Sequence, residues 1–412
     1  MIPMAQPVFR TSVANKVRCA APRSATGAAL LACLSLTLPA QGALKLGTEI
    51  IVAPAFETWS FAKPVPLDSL TIKAATQISL PFSVQLPLHA RWKASITGAV
   101  ASSSLDAEGA NGKVTRSFTG LSDIRVRANG RLRGEGLQLT LGLNLPTGAV
   151  SLSPEQNDVL RVVAAPALNA QVPIAGTGFG GTVGLILARQ ISGWAWALGA
   201  GVEKRGSYAP LDAQIAGLDS RTELVPGGAA HISLGSDGLL GPHRLSVGLV
   251  ADLFGTDQVQ IVSNDKTVRT DDYQLGPTVS GALQLLVDNS RIRNFTLRLN
   301  ERFRSGFTNG SGQQVEGSSG NYLELGASGL LGTPGRPSFL FGADVRQQSG
   351  LPVDKGLIGA SLTAIGITAG LSVPTSTLEW RPALRFSGGS IKTSRINTGI
   401  TSVSVGMTVI AR

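Results

Sequence analysis

Cysteine, histidine, aromatic rings and charge are all scarce in this chain. Two cysteines and three histidines in 412 residues leave little material for a metal centre or a thiol enzyme. Both cysteines, Cys19 and Cys33, fall in the first forty residues, so the rest of the chain has no disulfide framework to lean on. Charged residues make up 15%, well below the roughly 25% of typical soluble domains. The apolar fraction, 43%, is too high for a disordered chain. What the chain does have is glycine, 50 residues of it, nearly twice the average usage of about 7%. So much glycine disfavours helix interiors and argues against a large helical bundle.

Residues 1–24 carry Arg10, Lys16, Arg18 and Arg23 and no acid, and an apolar run follows from Ala25 to Ala40. Ala40-Gln41-Gly42 then supplies a small-x-small step. These are the charged region, apolar core and cleavage site of a secretory signal peptide. The expected organisation is a signal peptide over 1–42, with Ala40 as the alternative cut, and one domain over 43–412. A membrane anchor is the competing reading, but the run is shorter than the roughly 20 residues a spanning helix needs. Leu30-Leu31-Ala32-Cys33 looks like a lipoprotein box, yet Leu34, Leu36 and Leu38 continue the apolar run, so Cys33 reads as part of the signal core. Removing this segment takes the net charge from +10 to +6, because four bases and no acid leave with it. That mild excess gives no reason to expect nucleic acid as a partner.

The remainder is written in period two. In Leu137-Gln138-Leu139-Thr140-Leu141-Gly142-Leu143-Asn144-Leu145 the leucines alternate with polar residues or glycine. Successive side chains of a strand point to opposite faces, so this predicts an amphipathic strand. The same alternation runs through 124–133, 194–203, 245–253, 295–304, 380–386 and 402–409. Pro146-Thr147-Gly148, Asp237-Gly238, Asn309-Gly310, Thr333-Pro334-Gly335 and Ser387-Gly388-Gly389 read as turns between them. The spacing predicts about 14 strands, within 12 to 16. Tight turns at one end and longer polar connections near 105–114, 209–220, 257–270 and 308–319 fit the periplasmic and extracellular ends of a barrel.

The fold class expected is therefore all-β: a transmembrane antiparallel up-and-down β-barrel in a Gram-negative outer membrane. Closure satisfies every backbone group without an exposed edge. Soluble sandwiches would need several domains and linkers, and a propeller should repeat. Two uncharged windows, 356–378 and 166–188, are long enough for helical spans, but each holds several glycines and at least one proline. Each reads as two strands and a turn. Segment 61–90, with four prolines, reads as an N-terminal plug or as the first hairpin.

Gly120-Leu121-Ser122-Asp123-Ile124 opens a basic strand. Leu137–Leu145 runs into Pro146-Thr147-Gly148, and Gly176-Thr177-Gly178-Phe179 precedes a glycine-rich strand and Trp194-Ala195-Trp196. This order resembles the outer-membrane transporter family named after the meta-pathway of phenol degradation, which is similar in style to the long-chain fatty-acid transporters. The resemblance covers roughly 118–210, and the rest in rhythm. It implies an outer-membrane barrel passing hydrophobic or aromatic molecules, and no catalytic residues. Many such barrels end on a strand with a terminal Phe, read by the outer-membrane insertion machinery. Here Met407-Thr408-Val409-Ile410-Ala411-Arg412 keeps the alternation but has a basic last residue.

If the leucine faces meet lipid, Arg125, Arg127, Arg131 and Arg133 line one wall of the lumen. Arg298, Arg302 and Arg304 line another, and Arg381 and Arg385 a third. Arginine on the lipid face costs roughly 2–4 kcal/mol near the midplane, so inward is the expected direction. Rings of arginine select anions. The competing reading is that inward acids such as Glu203, Asp252, Asp344 and Glu379 pair with them and brace the wall. Trp194 and Trp196 share a face, and with Trp380 are expected at the membrane–water interface.

The catalytic search comes back empty. His89, His231 and His243 are dispersed, with no helical pair for zinc. Gly176-Thr177-Gly178-Phe179-Gly180-Gly181 lacks the Lys-Ser/Thr ending of a phosphate loop. The expectation is no enzyme, no metal and no cofactor. The chain reads as an outer-membrane channel or transporter for small molecules, hydrophobic or aromatic ones among them, with outer-membrane lipid and cargo as partners. The alternative is a structural or adhesive barrel whose lumen is plugged.

Overall fold

The computed structural model describes residues 47–132, 136–170, 172, 176–215, 218–263, 266–287, 292–349 and 357–411. The expected signal peptide and Arg133 lie outside the described residues.

The first strands are β1 (Glu49–Val52), β2 (Ala55–Leu67), β3 (Leu70–His89), β4 (Trp92–Gly109), β5 (Gly112–Leu121), β6 (Ile124–Arg131) and β7 (Leu137–Leu145). A helix, α1 (Pro154–Val163), follows. Then come β8 (Gly180–Ile191), β9 (Trp194–Arg205), β10 (Tyr208–Ile215), β11 (Leu218–Val225), β12 (Ala229–Leu240), β13 (His243–Phe254), β14 (Thr256–Ser263), β15 (Lys266–Gln274), β16 (Thr278–Val287), β17 (Ile292–Arg304) and β18 (Thr308–Asn309). The chain closes with β19 (Gly320–Leu331), β20 (Ser338–Gln348), β21 (Ser361–Pro374), β22 (Leu378–Lys392) and β23 (Asn397–Ala411).

Eighteen of these strands form one antiparallel sheet. It closes on itself, because β23 pairs with β22 on one edge and with β1 and β2 on the other. β1 and β2 share one place in the wall, both pairing with β3 and β23. Their break, at Ala53-Pro54, faces Pro81 of β3: Val52 is registered with Phe82 and Ala55 with Ser79. Proline has no N–H for the ladder, and the wall is interrupted where two prolines oppose each other. β5 and β6 likewise share one place beside β4, broken at Ser122-Asp123. The eighteen strands thus make a barrel of sixteen staves, two more than the alternation suggested.

The remaining five strands make a second sheet in the order β10-β11-β14-β15-β18. Each is the continuation of a stave past a glycine: Gly206 after β9, Gly227 and Gly228 before β12, Gly255 after β13, Gly276 before β16, Gly306 after β17. The backbones touch along this row. A Cβ on Gly227 would sit 2.6 Å from the carbonyl carbon of Gly255, and one on Gly276 2.3 Å from the carbonyl oxygen of Gly306. No other residue fits so close an approach. The regions 209–220 and 257–270, expected as loops, are therefore largely paired strand.

Outward residues form continuous apolar rows across the ladder. Leu187, Leu198, Leu234 and Leu249 are successive cross-strand partners. So are Val247, Leu283, Leu299, Leu325, Val345 and Ile365. Many members of this belt are highly exposed, Leu198 at 55% and Ile365 at 58%.

Several local expectations are corrected. Asp237-Gly238 lies inside β12, and Ser387-Gly388-Gly389 inside β22. Gly238 is there because the Trp194 ring covers it: a Cβ would lie 2.4 Å from that ring. Window 356–378 holds a 3₁₀ turn (Leu357–Gly359) and the single strand β21. Among its described residues, window 166–188 holds turns at 166–168 and the start of β8. Of the two readings of segment 61–90, the hairpin is the one found: it belongs to β2 and β3, which pair antiparallel.

Candidate functional site

The plug comes from a segment expected only to supply turns and strands. Between β7 and β8 the chain enters the barrel and carries α1. Ser153 caps this helix: its Oγ accepts from the Gln156 N–H, and the Gln156 side chain accepts from the Ser153 N–H. Pro154 stands in the first turn, where its missing N–H costs nothing. Val159, Val162 and Val163 are buried, and α1 packs on β5, β4 and β3. There they join Trp59, Val65, Leu67, Ile72 and Leu105 in one apolar cluster. Leu357 and Ala360, from the β20–β21 connection, pack into the same cluster. Polar contacts fix the plug's position. Trp59 Nε1 donates to the Leu168 carbonyl at 3.0 Å, and Gln77 Nε2 donates to the Val172 carbonyl at 3.0 Å. Arg161 pairs with Asp68 at 2.6 Å, and Arg116 pairs with Asp158.

The root of the plug is held by one carboxylate. Asp123, buried in the break between β5 and β6, accepts from the Gly148 N–H at 3.0 Å and the Thr177 N–H at 2.6 Å. It also accepts from Thr177 Oγ1 at 3.0 Å and Asn144 Nδ2 at 2.9 Å. Gly148 begins the plug and Gly176 ends it. The two backbones cross in contact, and a Cβ on Gly148 would sit 2.6 Å from the Gly176 Cα. Thr147 Oγ1 completes the root, accepting from the Ile124 N–H and donating to the Ser122 carbonyl. The three short glycine-rich motifs of the sequence thus meet at one point. The signals for α1 were also present, as Ser153-Pro154-Glu155-Gln156 is a capping box and Val159, Val162 and Val163 follow at helical spacing.

The arginines fall on two walls. Arg125, Arg127 and Arg131 lie on the face of β6 opposite Ile124, Val126 and Ala128, and all three are exposed. Among the described residues none of them has an ion-pair partner. The second wall runs from β17 to β22. Arg298 pairs with Glu324 at 2.7 Å, Arg381 with Glu379 at 2.8 Å, and Arg385 reaches both oxygens of Asp344 at 2.8 and 2.7 Å. The Arg302 guanidinium stands 5.8 Å from the Tyr322 ring centre, and Arg304 is partly buried. Glu203 and Asp252 pair elsewhere: Glu203 meets Arg205 at 3.2 Å, and Asp252 meets His231 Nδ1 at 2.7 Å. Among the described residues no serine hydroxyl joins His231, and no group of three His, Cys, Asp or Glu side chains is arranged around a metal position.

Trp194 and Trp380 lie on the outer face near the short-turn end, registered with Ile191 and Val409. Trp196 lies one step further along β9 and is 42% exposed. Trp92, which the sequence reading passed over, stands beside Gly130 on the same outer face. At the opposite end, Tyr208 and Tyr273 lie in the second sheet, where burial pushes both phenols up. Tyr273 also hydrogen-bonds Asp257.

No protein-family model and no curated protein sequence matches the chain. Solved barrels of similar fold include a mutant of the TodX monoaromatic hydrocarbon channel, with 10% identity and a TM-score of 0.44 over 90% of this chain and 91% of that one. A FadL homologue of Pseudomonas aeruginosa has 7% identity and a TM-score of 0.42, over 88% and 89%. OccK1 of Pseudomonas aeruginosa has 11% identity and a TM-score of 0.41, over 88% and 99%. The phenol meta-pathway resemblance has no family match behind it.

Proposed function

We propose that the protein is an outer-membrane channel for small molecules, hydrophobic or aromatic ones among them. The observation that carries this reading is the closed sheet with an apolar belt outside and exposed arginines within. A soluble monomer rarely exposes an apolar patch beyond a few hundred Å², and this belt follows the ladder from stave to stave. A closed barrel is also the one sheet form that can stand in hydrocarbon, because its edges are paired. TodX and CymD, with which the chain shares 10% identity, are monoaromatic hydrocarbon channels. In this reading Trp92, Trp194, Trp196 and Trp380 sit at the interface level, the short turns face the periplasm, and the second sheet and the root of the plug face outward. Lipid and the insertion machinery are the partners this requires.

The plug favours a second reading, a structural barrel that passes nothing. Conductance separates the two. Purified protein in a planar bilayer is expected to give discrete current steps with anions preferred over cations. Arg125→Glu combined with Arg127→Glu is expected to shift the reversal potential toward cation preference. Silent membrane-inserted protein would leave the structural reading standing, and unchanged selectivity in the double variant would remove these arginines from the conduction path.

A further inference from the structure

We infer that the β17–β22 wall binds a small organic carboxylate, with Arg346 as its anchor. The inference rests on the interior being open to solutes, as the channel reading holds, but its test does not depend on passage.

The wall carries more cations than its acids can match. Arg298, Arg302, Arg304, Arg346, Arg381 and Arg385 face Glu324, Asp344 and Glu379 across neighbouring strands. The three acids are each engaged by another arginine: Glu324 by Arg298, Asp344 by Arg385, whose Nη2 donates to both carboxylate oxygens, and Glu379 by Arg381. Glu324 also accepts from the Tyr322 hydroxyl at 2.7 Å. That leaves Arg302, Arg304 and Arg346.

Arg346 is the unusual one. Its residue is 4% exposed, yet its Nε and Nη1 have no hydrogen-bond partner among the described residues. Its nearest carboxylate oxygen, on Asp344, is 3.7 Å from Nε, too far for a hydrogen bond and already taken by Arg385. A buried charge with open donors is costly, and a guanidinium offers its donors in a planar fork that matches a carboxylate. Gln348, two residues on along the same face, is also buried with its Oε1 unpartnered. An acidic partner from outside the wall satisfies the guanidinium and offsets the surplus of positive charge. The route to it is marked by Arg298 and Arg302, which are exposed to the interior and attract anions toward the buried group.

The test is calorimetric binding to the detergent-solubilised barrel, with benzoate as probe, benzamide as its neutral isostere and inorganic phosphate as the competing anion. Benzoate is expected to bind saturably and benzamide not at all. Arg346→Gln should weaken benzoate by about tenfold or more, the loss expected when a charge-assisted pair goes. Arg302→Gln keeps the test open should the first variant not fold, and should weaken benzoate to a lesser degree. Equal heats for benzoate and benzamide, or phosphate matching benzoate, would overturn the assignment. A barrel that binds benzoate and passes no current would sink the channel reading and leave the site standing.

Discussion

Asp123→Ala is expected to release the plug. The carboxylate holds four donors at the root, two of them backbone N–H groups with no strand to pair with. A buried donor left unsatisfied costs about 1–3 kcal/mol, and hydrogen bonds to a charged group lie at the upper end. Losing the hub should therefore cost roughly 3 kcal/mol or more, even if water replaces part of it. Asp123→Asn should fall between, because an amide keeps one acceptor and turns the other oxygen position into a donor, which would face either the Gly148 N–H or the Thr177 N–H. The checks are thermal unfolding and limited proteolysis between 149 and 170. Alanine should expose that segment to cleavage while the wall survives, and single-channel conductance should rise. A variant with an intact, uncleaved plug would show that the apolar cluster alone seats it.

Trp59→Ala is the complementary experiment. Trp59 is 3% exposed and packs among the plug's apolar residues. Its indole is the donor to the Leu168 carbonyl. Removing a buried aromatic of this size costs about 3–5 kcal/mol through lost contacts and the cavity left behind. The loss falls on the plug–wall interface, not on the ladder. Unfolding should then separate into two events, plug loosening at lower temperature and wall melting near the parent value. A single transition at the parent temperature would mean that Trp59 does not couple the two.

Much of the wall was legible in the sequence because a barrel strand has only two environments. Leu139, Leu141 and Leu143 face out, while Gln138, Thr140 and Asn144 face in, and a period of two records that choice residue by residue. The stave count fell two short of sixteen, and segment 61–90, open between plug and hairpin in the sequence, falls in two of those staves, β2 and β3. Glycine pairs misled for a related reason. Asp237-Gly238 has turn chemistry, but Gly238 is small to admit the Trp194 ring, a fact about a neighbouring strand. The plug was illegible for a different reason. Its apolar residues answer to an interior surface formed by β2, β3, β4 and β5, and a period-two reading treats that surface as lumen. Asp123, Gly148 and Thr177 were each visible in glycine-rich motifs, yet their meeting depends on closure of the whole barrel. Of the arginine partners, Asp344 and Glu379 follow from alternation on adjacent strands. Glu324 and Arg346 obey the same rule and were passed over.

The most direct test of the account is a cysteine scan, made simple by the absence of cysteine after Cys33. Single cysteines at Arg125 and Arg127, on the interior face, and at Leu141 and Leu143, on the outer face, would be treated with a membrane-impermeant maleimide in outer-membrane vesicles. Leu141 and Leu143 are 41% and 49% exposed in the bare protein, so only surrounding lipid can shield them. The account predicts labelling at 125 and 127 and protection at 141 and 143 until detergent with denaturant is added. Ready labelling at both leucines in intact vesicles would contradict a membrane-embedded barrel.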